Sequence, residues 1–238
     1  VSVTAGIGQT TTLKTLTLVN SNGATFTKPV TTDTSVVLSD TSDGQIVRFE
    51  DNLTTHTLTT TAQAYDLELV GTQTTITNAT TFLNTGALKL GDAANDQLTF
   101  TGGLVAVQPS AISVAGEIST TNTVMTLGDA NTALNLSADA VLSTSGGALS
   151  IGGAVNGTTA NQQSLSLDAG SAGVVSVTAG IGQTTPLKTL TLVNSNGATF
   201  TKPVTTGTSV VLSDASDCEI VRLEDNLTTH TLTTTAQA

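Results

Sequence analysis

Short runs that alternate apolar with polar residues recur along the whole chain. Examples are KTLTLV at 14–19, SVVLSD at 35–40, ALKLGD at 87–92 and SLSLDAG at 164–170. Alternation with a period of two is typical of a strand with one buried face. Thr fills many of the polar positions, and its branched Cβ favours strands. The separators are rich in Gly, Asn, Asp and Ser, which form tight turns. No segment has a helical period, so the pattern predicts an all-β fold.

The segment at 1–64 occurs a second time, without gaps, at 175–238. This match predicts one full unit at 1–174, followed without a linker by the start of the next unit at 175–238. Val175 lies inside an apolar run that is already under way, so we expect the chain to be part of a longer tandem array. Six positions differ between the copies: Thr12/Pro186, Asp33/Gly207, Thr41/Ala215, Gly44/Cys218, Gln45/Glu219 and Phe49/Leu223.

A weaker echo inside the unit indicates the size of one structural layer. The segment at 154–170 resembles the segment at 180–197. The aligned positions are Val155 with Ile181, Leu165 with Leu190, and Leu167 with Leu192. A parallel β-solenoid explains the echo, with coils of about 25 residues and three short strands per coil, stacked roughly 4.8 Å apart. At about 25 residues per coil the unit at 1–174 holds about seven coils, which rise by roughly 34 Å on that spacing.

The amino-acid composition favours this architecture over a chain of immunoglobulin-like sandwiches. Aromatic residues are 3% of the chain and Trp is missing, so large cores built around aromatic rings are excluded. Many small layers of Val, Leu, Ile and Ala are still possible. Two sandwiches of about 87 residues per unit would require the two halves of the unit to resemble each other, and a buried large aromatic is usual in that fold. Neither feature is found.

Net charge excludes several classes of partner. The chain carries a formal charge of −11, with 7 basic and 18 acidic residues, so nucleic acids and anionic membrane surfaces are poor partners. No apolar run approaches about 18 residues, so we expect no membrane insertion by this segment. Cys218 is the one cysteine, which leaves a free thiol or a bond between chains. It replaces Gly44 of the first copy, so either that corner does not require glycine or the two copies bend differently.

Several acidic corners carry oxygen atoms that could bind calcium. The segments are LSDTSDG at 38–44, LGDAAND at 90–96 and LGDANT at 127–132. Calcium takes about six to eight oxygen ligands, and these segments lack the spacing of an EF-hand or a calcium roll. Asp and Asn also stabilise turns by bonding to nearby backbone, so a calcium site and simple turns both remain open. The candidate ligands are Asp40, Asp43, Asp92, Asp96 and Asp129.

The sequence does not predict a catalytic centre. His56 and His230 are one position seen twice, and no Ser, Cys or second His lies near either of them. Among the basic residues, only Lys89 lies outside a duplicated pair, so a basic catalytic cluster is hard to assemble. We therefore predict that the chain is not an enzyme.

Two further patterns predict ordinary surface features. The segments RFE at 48–50 and RLE at 222–224 place Arg and Glu on the same side of a strand, as a solvated pair. Triplets of Thr, an apolar residue and Thr could form an ice-binding face if they were stacked in register. Their irregular spacing instead predicts that Thr covers the outside of each strand while the apolar residue points inward. The triplets lie at 15–17, 25–27, 57–59, 75–77 and 99–101.

Two long segments carry a resemblance to a known class of protein. GGAVNGTTANQQSLSLDAG at 152–170 and VTAGIGQTTPLKTLTLVNSNGATF at 177–200 resemble the Gly/Thr/Asn/Leu repeats of very large bacterial surface proteins. These proteins include filamentous-haemagglutinin-like and autotransporter-like adhesins. The resemblance implies secretion, display outside a bacterial cell, and a role as a stalk, fibre or adhesin.

The sequence therefore predicts an extracellular structural or adhesive repeat segment on a bacterial surface. Its expected partner is itself, through stacking of repeats or chains end to end, because the cut ends of a solenoid expose unpaired strand edges. The alternative is a module that binds carbohydrate or another surface, with glycans as partners and calcium as a stiffening ion.

Overall fold

The computed structural model describes residues 1–39, 41–213 and 220–235. These ranges contain strands and turns and no helix, as the sequence predicts. In the first copy the strands are Ser2–Val3, Leu13–Leu18, Ala24–Phe26, Val30–Leu38, Ile46–Phe49, Leu53–Thr55 and Thr57–Thr59. In the rest of the unit they are Asp66–Leu69, Gln73–Ile76, Thr80–Thr81, Leu88–Leu90, Gln97–Phe100, Leu104–Ala106, Ala111–Ser119, Met125–Leu127, Ala133–Ser143, Leu149–Ile151, Val155–Gly157 and Leu165–Asp168. In the second copy they are Val175–Val177, Leu187–Asn194, Ala198–Phe200, Val204–Leu212, Val221–Leu223, Leu227–Thr228 and Thr231–Thr234.

The strands stack as a parallel β-solenoid of about ten turns with roughly 23 residues per coil. This confirms the predicted fold class, although the average coil is slightly shorter than the echo in the sequence predicts. Coil length varies along the chain: the step from Phe49 to its stacking partner Leu69 is short, and the step from Val155 to Ile181 is long. The echo comes from one of the longest coils, and its three aligned pairs are all stacking partners in the structure.

Each coil passes through three faces in the same order. We number the faces in chain order and define each by its column of stacked residues. Face 1 contains Ala24, Val47, Leu67, Leu88, Ile112, Leu134, Val155, Ile181, Val204 and Leu227. Face 2 contains Ile7, Val30, Leu53, Thr74, Leu98, Ile118, Leu142, Leu167, Leu192 and Leu212. Face 3 contains Leu16, Val36, Leu58, Thr80, Leu104, Met125, Leu149, Val175, Ala198 and Val221.

The interior is a continuous stack of aliphatic side chains. Almost every residue in the three columns is buried, while its neighbours along the strand are partly exposed. The few aromatic residues join the same stack: Phe26 lies over Phe49 with ring centroids 4.7 Å apart. Tyr65 is also buried, and burial raises the pKa of its phenol. Burying each large aliphatic side chain contributes about 1.5–3 kcal/mol, so stability accumulates coil by coil.

Some strands continue through the corner between faces 1 and 2. Ala111–Ser119 is one of them, and its register shifts between Val114 and Gly116. Gly116 has φ +73°, and a Cβ at this position would lie 2.3 Å from the carbonyl oxygen of Asp96. Only glycine suits this bend, because a side chain would clash with the backbone of the coil below.

The face assignment makes a direct prediction for Leu192 and its neighbour Thr191. Leu192 is fully buried between Leu167 and Leu212, whereas Thr191 is partly exposed. Leu192→Asp places a charge in this aliphatic stack, and we expect it to lower the free energy of unfolding by more than about 4 kcal/mol. Thr191→Asp should change it by less than about 1 kcal/mol. Urea unfolding measures both, and equal losses would contradict the assignment of inward and outward positions.

Candidate functional site

The structure places the predicted calcium ligands at separate corners. Asp43 and Asp129 lie at corners between faces 3 and 1, several coils apart, and Asp92 and Asp96 share a corner between faces 1 and 2. Asp40 lies outside the described residues. Within the described ranges, no group of three or more His, Cys, Asp or Glu side chains is arranged to hold a metal ion. Among the four candidate ligands that the structure describes, only Asp92 and Asp96 come together.

The carboxylates bind backbone amides at these corners. Asp96 is 2% exposed, and its Oδ2 accepts hydrogen bonds from the amides of Asp92 and Ala93 at 2.8 and 2.9 Å. Asp43 accepts one from the amide of Ala64 on the next coil at 3.0 Å. The hydrogen bond from the amide of Asn131 to Asp129, at 2.8 Å, lowers the pKa of that carboxyl. These contacts favour the interpretation of the acidic corners as stabilised turns, and calcium binding stays the untested alternative.

The remaining sequence candidates occupy surface positions. Arg48 contacts Glu50 at 3.2 Å, which confirms the predicted pair, and it also contacts Glu68 on the next coil at 2.8 Å. His56 and His230 are exposed, and the His56 ring contacts the carbonyl oxygen of Asp33. The Thr triplets do not share a face. The triplet around Phe26 lies on face 1, the triplets at 15–17 and 57–59 on face 3, and those at 75–77 and 99–101 on face 2.

The corner that contains Gly44 adopts a glycine conformation in the first copy. Gly44 has φ +70°, in the left-handed region that glycine adopts without strain. Cys218, which replaces it in the second copy, lies outside the described residues. In the first copy, this corner therefore uses the backbone conformation that favours glycine.

The join between the two copies is the place where the segment that begins at Val175 stacks on the last coil of the unit at 1–174. The sequence does not predict its details. Leu13 is 44% exposed in the first coil, whereas its equivalent Leu187 is completely buried. Val1 is 68% exposed and its equivalent Val175 is 2% exposed. The difference arises because the second copy stacks on the last coil of the unit, at 149–174. The lower edge of the repeat is therefore an apolar surface, and the end of a preceding unit covers it.

A cleft of about 520 Å³ lies on the corner between faces 3 and 1 at this join. The first unit contributes Asp129, Ala130 and Gly152, and the second copy contributes Thr178, Ala179, Gly180, Gln183, Lys202 and Pro203. A short corner at 152–153 makes room for the cleft. A Cβ on Gly153 would lie 1.7 Å from the carbonyl oxygen of Thr132, so only glycine lets this corner approach the coil below.

Four polar side chains line the cleft, those of Asp129, Thr178, Gln183 and Lys202. The amide nitrogen of Gln183 donates to the carbonyl oxygens of Ile181 and Pro203, at 3.0 and 3.1 Å, which holds its side chain across two coils. Asp129 supplies a carboxylate, and Lys202 supplies an exposed ammonium that makes no ion pair within the described ranges. The sequence signal for this corner is the pair of glycines at 152–153, but its lining residues are spread along the chain from Asp129 to Pro203.

A corner of the last coil closely approaches one position that differs between the copies. The last coil carries a long corner at 157–164, and the amide of Asn161 donates to the carbonyl oxygen of Pro186 at 2.8 Å. A Cβ at Gly207 would lie 1.9 Å from Oδ1 of Asn161. Gly207, which stands where the first copy has Asp33, therefore leaves room for the Asn161 side chain.

Comparison with protein-family models, with curated proteins and with solved structures found no match for the chain. In the described part of the chain, no helix is long and apolar enough to cross a membrane.

Mutation can distinguish the two roles considered for the acidic corner at 92–96, which are stabilising the turn and binding calcium. Asp96→Ala removes a buried acceptor of two backbone hydrogen bonds, and we expect it to lower the free energy of unfolding by about 2–3 kcal/mol. Asp92→Ala, the matched control, loses only an exposed contact with Lys89 at 3.9 Å and should cost less than about 1 kcal/mol. Urea unfolding with excess calcium and with EDTA should give the same values. A wild-type stability that rises with calcium and fails to rise in Asp96→Ala would instead establish a metal site.

Proposed function

We propose that this chain is a structural segment of an extracellular bacterial fibre, stalk or adhesin. The observation that supports this most is the uninterrupted stack across the join, where the second copy buries the edge residues that the first copy exposes. Each added unit extends the same core and requires no linker. A protein that gains length by repetition in this way suits a mechanical role.

The dimensions support a spacer role. At roughly 4.8 Å per coil, the unit at 1–174 adds about 37 Å of rod. Backbone hydrogen bonds run along the rod between neighbouring coils, so the several bonds of each coil-to-coil interface share a force along the axis. The proposed partner is a further copy of the repeat, because the apolar edge of one unit fits the end of another.

Surface chemistry supports a location outside the cell. Thr, Ser and Asn occupy many outward positions, the chain carries a net charge of −11, and its segments resemble repeats of large bacterial surface proteins. A polar, acidic exterior keeps a long β-rod soluble. It also limits association along the sides of the rod, which directs contacts to the ends.

Immunogold labelling of the source cells tests this proposal. Antibodies raised against the chain should label intact, unpermeabilised cells, with gold particles along extended structures that project from the surface. Cells that lack the coding sequence are the control. Labelling that requires permeabilisation of the cells would contradict the extracellular role.

The cleft at the join favours a second candidate function, recognition of a surface glycan. A sugar is rich in hydroxyl groups, and Asp129, Gln183 and Lys202 offer a carboxylate, an amide oxygen and an ammonium around one concave surface. Thr178 adds a hydroxyl at its edge. Calcium is not required for this arrangement, because the side chains themselves supply donors and acceptors.

A glycan array probed with the intact chain tests this candidate. If the cleft binds sugar, Lys202→Ala should reduce the signal of any bound glycan at least about tenfold, a loss of roughly 1.4 kcal/mol. Lys28→Ala alters the equivalent lysine in the first copy, which lacks the lower wall of the cleft, and should leave binding unchanged. Equal effects of the two substitutions, or binding of no glycan by the wild type, would contradict a binding role for the cleft.

A further inference from the structure

The two copies of the repeat do not occupy the same faces of the solenoid. Ala24 belongs to the column of face 1, but its equivalent Ala198 belongs to face 3. Val30 lies on face 2 and its equivalent Val204 on face 1, while Leu16 lies on face 3 and its equivalent Leu190 on face 2. The described strands of the second copy are therefore displaced by two faces in chain order relative to those of the first copy.

The number of strand positions in one unit explains the displacement. The described residues of the unit, 1–39 and 41–174, supply eight positions to face 1, eight to face 2 and seven to face 3. Because each coil has three faces, a whole number of coils would require the total number of strand positions in the unit to be a multiple of three. The unit instead makes about seven and two-thirds turns, which leaves the next copy rotated by two faces.

The local environment of each segment survives this rotation. Val3, Phe26 and Phe49 stack in register on face 1, and their equivalents Val177, Phe200 and Leu223 stack in the same register on face 3. A strand contacts mainly the strands above and below it in its own column. The same sequence can therefore pack on any of the three faces, provided that its stacking neighbours are retained.

We infer that tandem copies of this unit join with a rotation of two faces, so that an array presents each surface feature of the unit on all three sides of the rod in turn. Three units complete 23 turns, a period of about 110 Å at roughly 4.8 Å per coil. The extension beyond the present chain rests on the proposed function as a repeat array. The rotation itself rests on the registers of the two copies within this chain.

This rotation determines what a partner meets. The pair of Arg48 and Glu50 lies on face 1, whereas the equivalent pair of Arg222 and Glu224, 3.8 Å apart, lies on face 3. A cleft at each join of the array moves around the rod in the same way. A partner surface that recognises one feature of the unit therefore finds it whichever side of the rod is turned towards that surface, and the rod binds without a preferred rotation about its axis.

Nitroxide labels on pairs of cysteines in the intact 238-residue chain test the inference. All variants carry Cys218→Gly, which restores the residue of the first copy. Ser150, Ser166, Ser176 and Thr191 are partly exposed, so labels there should be tolerated. The structure pairs Ser150 with Ser176 and Ser166 with Thr191. Without the rotation, Thr191 would instead stack on Ser150.

The double variants Ser150→Cys/Ser176→Cys and Ser166→Cys/Thr191→Cys should show strong dipolar broadening of the nitroxide spectrum. Ser150→Cys/Thr191→Cys should give a spectrum equal to the sum of its singly labelled chains. Broadening in that third pair, with none in the second, would overturn the rotation.

A control pair inside the first unit distinguishes a failure of the rotation from a failure of the solenoid on which the proposed function depends. Thr126 pairs with Ser150 on face 3, so Thr126→Cys/Ser150→Cys should be broadened in any solenoid of this kind. Broadening in the control without broadening in the two pairs that cross the join refutes the rotation and leaves the rod intact. Absence of broadening in the control as well refutes the solenoid and, with it, the basis of both proposals.

Discussion

Parallel backbone pairing between successive coils is the interaction on which the whole molecule depends. Many strands are very short, such as Leu149–Ile151, in which two side chains point inward. A single coil cannot form a core from so few residues, and its amides would be left unpaired. Stacking solves both problems at once, because each coil supplies hydrogen-bond partners and an aliphatic layer to the next. The join shows the effect of stacking directly, because Leu187 is completely buried there while its equivalent Leu13 in the first coil is 44% exposed.

The corners absorb the variation that the strands do not permit. Coils differ in length, as the steps from Phe49 to Leu69 and from Val155 to Ile181 show, yet the inward columns remain in register. The long corner at 157–164 shapes the join, and the short corner at 152–153 opens the cleft beside it. Buried carboxylates such as Asp96 satisfy the backbone amides of such turns. Distinctive chemistry in this protein is therefore expected at corners and joins, where side chains from several coils meet.

Much of the fold is predictable from the sequence, because alternation and Thr content reveal strands and the gapless copy reveals a repeat. The alignment of Val155 with Ile181 predicts the coil length, and the two residues do stack, but they belong to one of the longest coils. Shorter corners elsewhere blur that period, so the sequence does not predict the extra two-thirds of a turn in the unit. The cleft is not predictable either, since its residues come together only through the register of several coils. The acidic segments are correctly predicted to be corners, but burial and hydrogen bonding decide what each carboxylate does.

X-ray diffraction from an aligned, concentrated solution of the chain tests most directly whether the coils stack through the join. If they do, the backbone pairing direction coincides with the long axis of the particle. We predict a reflection at a spacing of about 4.8 Å along that axis, from strands that lie across the rod. The same spacing perpendicular to the axis, or a particle that scatters as two separate globules, would contradict continuous stacking.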